Sequence, residues 1–365
     1  MLPYILLYSI SFILSMFNFL KEKLDGKLLF FLLMLFIGIF GGSRYGIGGY
    51  DYNVYELMYN NTSGNLSEAL SSEYFLLITT EKGYIIIMSI FNFLGFGFND
   101  FLLCIGVLCG IGLFFVFTRH SKLPYIILTI FLAKGYLYFF FTAQRQVIAM
   151  VICWLAIKYI IERKFLIFFL LMILASFFHT SAIMFTVMYP IANLKLDNKK
   201  TFFLLIASIL VGVLKIGLAL GLLVSSYLPF GTDKLSSYLE GSGMGINILN
   251  FIEMVPILFL VLTFRKKIEG KIENFNLFFN MYLVFVMITF AFYDFVFIAR
   301  LKGYFILGYF VILSSLGYMP QKKNLGAGII FLFLLYCLAV YCRELLTFDY
   351  GEGYLPYRSY LFNHY

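Results

Sequence analysis

The sequence predicts an all-α fold, a polytopic membrane helical bundle of about 11–13 membrane helices that include re-entrant or broken ones. Three observations predict it. Of 365 residues, 62% are hydrophobic and 13% charged, where a soluble domain carries roughly 25% charged residues. The mean hydropathy is +0.92. Apolar residues come in runs near the span length of about 20, divided by short basic links. These features exclude a water-soluble globule.

The first run, 2 to 20, opens MLPYILLYS without a basic flank or a small-residue cleavage site, so it reads as a retained span. Runs at 28 to 42, 84 to 98, 101 to 118, 124 to 141 and 146 to 161 follow. The later ones lie at 165 to 193, 201 to 223, 247 to 264, 275 to 293, 296 to 318 and 325 to 341. The links KEKLDGK (21 to 27), RHSK (119 to 122), ERK (162 to 164), KLDNKK (195 to 200), RKKIEGK (265 to 271) and QKK (321 to 323) are cytoplasmic under the positive-inside rule. The amino terminus and the longest polar stretches, at about 43–83 and 224–246, then face outward. The result is a single integral membrane domain over 1–365.

Parity constrains two places. Residues 165 to 193 must cross an even number of times, which predicts two short helices meeting near FHTS (178 to 181), with His179 at the tip. Of the two runs between Lys82 and RHSK only one can cross. The other, 84 to 98, is predicted to be re-entrant or to lie at the outer interface, because broken helices at membrane depth line cavities.

The net charge of +8 orients loops in such a protein, and nothing in it calls for nucleic acid. Cys104, Cys109, Cys153, Cys337 and Cys342 show no CxxC spacing and only three histidines exist, so neither a disulfide framework nor a metal site is expected.

Arginine departs from the charge rule. Arg119, Arg163 and Arg265 fall inside, but Arg44, Arg145, Arg300, Arg343 and Arg358 fall outside. A guanidinium grips phosphate bidentately, which suits a diphosphate in a half-dry site. The plainer reading pairs each arginine with a lipid headgroup or an outer carboxylate; for Arg300 that partner would be Asp294. In GGSRYGIGGYDYNVY (41 to 55) the glycines permit a tight loop bringing Arg44 and Asp51 together, a cation for a diphosphate and a base for a hydroxyl. Arg145 opens a span, where helix-start amides add partial positive charge. His179 lies in an apolar run, either as a packed structural residue or as a base.

These stretches resemble the EpsG-type branch of the Wzy O-antigen and surface-polysaccharide polymerases. The resemblance rests on RYGIGGYDYNVY, EKGY (81 to 84), AQRQVIA, YIIERKF, ASFFHTSA, IARLKGYF and LPYRSYLF, in that order over most of the chain. It implies a GT-C-like glycosyltransferase, metal-independent and without cofactor, in a bacterial inner membrane with its site facing the periplasm. The implied partners are an undecaprenyl-diphosphate-linked oligosaccharide, membrane lipid and a chain-length regulator protein. By position in the motifs, Asp51, His179 and Arg145 are expected to be catalytic, with Asp51 the base and His179 its alternative. Arg44, Glu81, Gln144, Arg300 and Tyr304 are expected to bind substrate. Competing readings are an O-antigen ligase, which shares substrate and leaving group, a lipid-linked oligosaccharide flippase or other transporter, and a membrane acyltransferase.

Overall fold

The computed structural model describes residues 1–21, 26–77, 80–216, 219, 248–293 and 300–362. The stretch 224–246, expected to face outward, and Asp294 lie outside them. The described residues are all-helical, apart from one isolated backbone bridge between Arg44 and Ser359. Four helical segments are long and apolar enough to cross a membrane: Leu2–Lys21, Phe98–His120, Gln144–Ile161 and Lys323–Gly351. Seven shorter apolar helical segments accompany them, so a multi-pass membrane bundle is what the chain forms. Backbone contacts divide it into two compact units, Met1–Ile183 with Pro320–Tyr365, and Met184–Met319.

The first unit begins with α1 (Leu2–Lys21) and α2 (Lys27–Gly42). Small helices α3 (Tyr50–Asn60), α4 (Leu66–Ser71) and α5 (Glu73–Leu77) follow. The 43–83 stretch is therefore largely helical. Asn65 caps α4, its side chain accepting the Ser67 N–H (3.0 Å). Next come α6 (Lys82–Phe93), α7 (Phe98–His120) and α8 (Pro124–Phe131). With twelve residues α6 rises about 18 Å, short of the roughly 30 Å bilayer core. Two π-helical turns, Leu132–Tyr136 and Tyr138–Thr142, lead into α9 (Gln144–Ile161).

The α2–α7 seam is built from small residues. A Cβ on Gly38 would lie 2.6 Å from the Gly106 carbonyl oxygen, and one on Gly110 would lie 2.6 Å from that of Met34. Side chains of any size would force these backbones apart. On the other side of the unit, α1 hydrogen-bonds to α8 through Ser11 and Ser15, whose hydroxyls lie 2.6 and 2.8 Å from the Thr129 hydroxyl. Tyr8 of α1 donates to the Leu334 carbonyl (2.7 Å) in α17 (Lys323–Thr347).

After α9, α10 (Phe165–Ser176) stops at Phe177 and a 3-10 helix, Thr180–Val187, begins past His179. The break falls at the expected tip. The second unit holds α11 (Met188–Ile191), α12 (Asn198–Val213), α13 (Ile248–Thr263), α14 (Arg265–Glu269), α15 (Phe275–Ala291) and α16 (Lys302–Ser314). Its basic links are tied down. Asn280 donates to the carbonyls of Ile191 (2.7 Å) and Leu194 (3.0 Å), Arg265 donates to the Leu196 carbonyl, and Lys267 donates to that of Met319 (2.8 Å).

Candidate active site

Two chain breaks build the site in the first unit. Glu81 precedes α6 with extended backbone, and two residues on the Gly83 N–H donates to the Phe177 carbonyl (2.9 Å). A Cβ on Gly83 would lie 2.6 Å from that oxygen, so only glycine lets α6 begin this close to the end of α10. The approach delivers Glu81 to the residues just past the break. Its Oε1 accepts from His179 Nδ1 (3.0 Å) and from the Thr180 N–H (3.2 Å). Its Oε2 takes Arg145 Nη1 at 2.5 Å.

Burial of Glu81 opposes ionisation, but the hydrogen bond from His179 and the charge of Arg145 outweigh it and hold the carboxyl at about 2, below the ordinary 4.5. An ionised carboxylate only accepts, so Nδ1 of His179 must donate; in the neutral ring Nε2 is then left as a lone-pair acceptor. The His179 side chain is 26% exposed, so Nε2 sits where a substrate proton can reach the ring. Arg145 opens α9 at 28% exposure, its guanidinium 5.9 Å from the Tyr55 ring. Its neighbour Gln144 is buried and accepts the Tyr84 hydroxyl (2.8 Å), and Tyr84 in turn lies against Tyr55 (ring centroids 5.7 Å apart).

Arg44, in the loop before α3, contacts the same helix through another tyrosine. Tyr52 and Tyr55, three residues apart, share a face of that helix, with Arg44 5.9 Å from the first ring and Arg145 5.9 Å from the second. Unlike Arg145, Arg44 is 1% exposed. Its Nη1 donates to the Gly41 carbonyl (2.8 Å), Phe141 covers it at 5.5 Å, and its Nε and Nη2 have no hydrogen-bond partner. Burial lowers its pKa from the ordinary value, yet a guanidinium stays protonated.

The structure therefore joins Glu81, Gln144, Arg145 and His179, and sets Arg44 behind them. Asp51 is in the first turn of α3, half-buried, and the Arg44 guanidinium contacts Gly41, Tyr52 and Phe141 instead of its carboxylate. Arg300 and Tyr304 belong to the second unit, Arg300 exposed at a turn and Tyr304 fully buried. Of the other arginines expected on the outer side, Arg343 and Arg358 are exposed. Sequence reasoning missed Tyr52, Tyr55 and Tyr84. The signal for the first two was the i, i+3 spacing in YDYNVY, which becomes a shared face only once that stretch is read as a helix. Among the described residues no three His, Cys, Asp or Glu side chains group so as to hold a metal ion.

A family model described as the EpsG family matches residues 27–359. No curated protein matches, and no solved structure does.

Proposed function

The chain belongs to the EpsG family, and from that membership we propose that it is a membrane glycosyltransferase that extends a surface polysaccharide by moving an oligosaccharide from undecaprenyl diphosphate onto another lipid-linked repeat unit at the outer face. The coarser statement, a multi-pass membrane protein of polysaccharide-polymerase type, follows from the family and the apolar helices. The finer reading is carried by one observation: a single carboxylate, Glu81, holds both His179 and a partly exposed arginine.

In this reading the acceptor hydroxyl oxygen attacks the anomeric carbon of the donor sugar. The bond from that carbon to the phosphate oxygen breaks, and its electron pair leaves with the lipid diphosphate. His179 Nε2 receives the hydroxyl proton, and the resulting imidazolium is stabilised by Glu81 at Nδ1. Arg145, aided by the first amides of α9, faces the charge growing on the diphosphate. That anion is already a good leaving group, so no acid is required to protonate it. Glu81 is a positioning residue here, because its oxygens are engaged by His179, Thr180 and Arg145. Asp51 is the rival base.

Deleting the gene and displaying the surface glycan on a gel tests the assignment. Loss of the ladder with a single repeat unit retained supports a polymerase, and loss of every repeat unit from the surface contradicts it in favour of a ligase or flippase. Complementation with His179→Ala should leave the single unit only.

A further inference from the structure

Arg44 is a cation that the fold keeps out of water without a counter-charge. Among the described residues it has no carboxylate partner, and two of its nitrogens are buried and unpartnered. Isolated buried charges cost several kcal/mol even after relaxation, so one persists only where the surrounding chain leaves it no exit. Tyr52, Phe141 and the Gly41 carbonyl surround the guanidinium, and the carboxyl-terminal tail pins the backbone that carries it. The Tyr45 N–H donates to the Arg358 carbonyl (3.0 Å) and the Tyr360 N–H to the Ser43 carbonyl (3.1 Å), pairing Arg44 with Ser359. The Ser359 hydroxyl lies 3.0 Å from that of Ser43. Tyr357 stacks flat on Phe40 (4.1 Å, 8°) and donates to its carbonyl (2.9 Å). Further along, the Gly48 N–H donates to the Gly353 carbonyl (2.8 Å), closing the loop at its far end.

We propose that Arg44 is a positioning charge: enclosed by Tyr52 and Phe141, it strengthens anion binding at Arg145 through its field without touching the ligand, and Tyr357 and Ser359 pin the backbone that carries it. The charges decide the sign. Glu81 offsets Arg145, whereas Arg44 is a cation with no carboxylate partner among the described residues. In a low-dielectric interior that charge acts over longer range than in water, and it costs no reorganisation when the anion arrives. Tyr52 and Tyr55, one turn apart on the same helix, each carry one of the two guanidinium groups.

The proposal rests on the reading in which Arg145 takes the diphosphate, and binding of undecaprenyl diphosphate to the purified full-length protein in micelles separates the two. Arg44→Met replaces a buried charge by an apolar side chain of similar length, a change that commonly leaves stability level or raises it. We expect unchanged or higher thermal stability with affinity weakened about tenfold. Tyr357→Ala should weaken binding by itself and have no further effect in the Arg44→Met background, whereas Tyr357→Phe should bind as wild type. A cross-linked Ser43→Cys/Ser359→Cys protein should bind normally, because the tail stays shut. Wild-type affinity in Arg44→Met overturns the proposal, as does a cross-linked protein that binds only after reduction, which would make the tail a lid over a direct contact. Wild-type affinity in Arg145→Ala would instead sink the underlying diphosphate reading.

Discussion

Glu81 is where the chemistry of the site is decided. Its folded pKa is depressed, so its contribution to stability is fully present above 4.5 and is lost as pH falls through about 2. Glu81→Gln should lower the melting temperature of the purified protein above 4.5, by a free energy on the order of 3 kcal/mol before solvent screening. The gap between variant and wild type should close between 4.5 and 2. A gap independent of pH would mean that the carboxylate is not held ionised by His179 and Arg145. The sequence made Glu81 visible only through the EKGY motif, and as a substrate ligand, because the residues that saturate it come from 64 and 98 positions away. The same distance hid the histidine's partner: His179 has no acidic residue in its own apolar run, and its carboxylate arrives from the residue before α6.

Helix breaks and glycine contacts convert those distant residues into a site. Gly83→Ala would put a methyl group 2.6 Å from the Phe177 carbonyl oxygen and 2.9 Å from its carbon. Both are backbone atoms, and α6 would have to retreat. We expect activity to fall at least as far as in Glu81→Gln, with the protein still inserted, measured as polymer formed per unit of membrane-embedded protein; normal activity would show that Glu81 and His179 do not need that close approach. The break at Phe177 to His179 was legible because loop charge parity demands an even number of crossings in a run too long for one helix. Parity gave the run at 84 to 98 a re-entrant or interfacial place, and the helix found there, α6, has twelve residues. Helices α3 to α5 were not legible, since their stretch is polar and glycine-rich, and an α3 of eleven residues, too short to be stable alone, packs its tyrosines on α7.

At the scale of the whole molecule, the basic links assign sides independently of any site geometry. Cysteine labels at Asn65 should react with an impermeant reagent from the outer face, and labels at Lys199 and Lys267 should not; an outward Lys267 would overturn the topology. The composition alone marked the chain as a membrane bundle, whereas the division of contacts into two units had no counterpart in hydropathy, because the cut falls inside the 3-10 helix Thr180–Val187. The central claim, that the Glu81-bound histidine takes the acceptor's proton, is tested most directly by reconstituting the protein in proteoliposomes with undecaprenyl-diphosphate-linked repeat units. Initial polymerisation rates would be compared for wild type, His179→Gln and Asp51→Asn at equal protein. The account predicts loss of turnover in His179→Gln with substrate still bound, and appreciable turnover in Asp51→Asn. A near-normal His179→Gln enzyme beside an inactive Asp51→Asn enzyme would contradict it and move the base to α3.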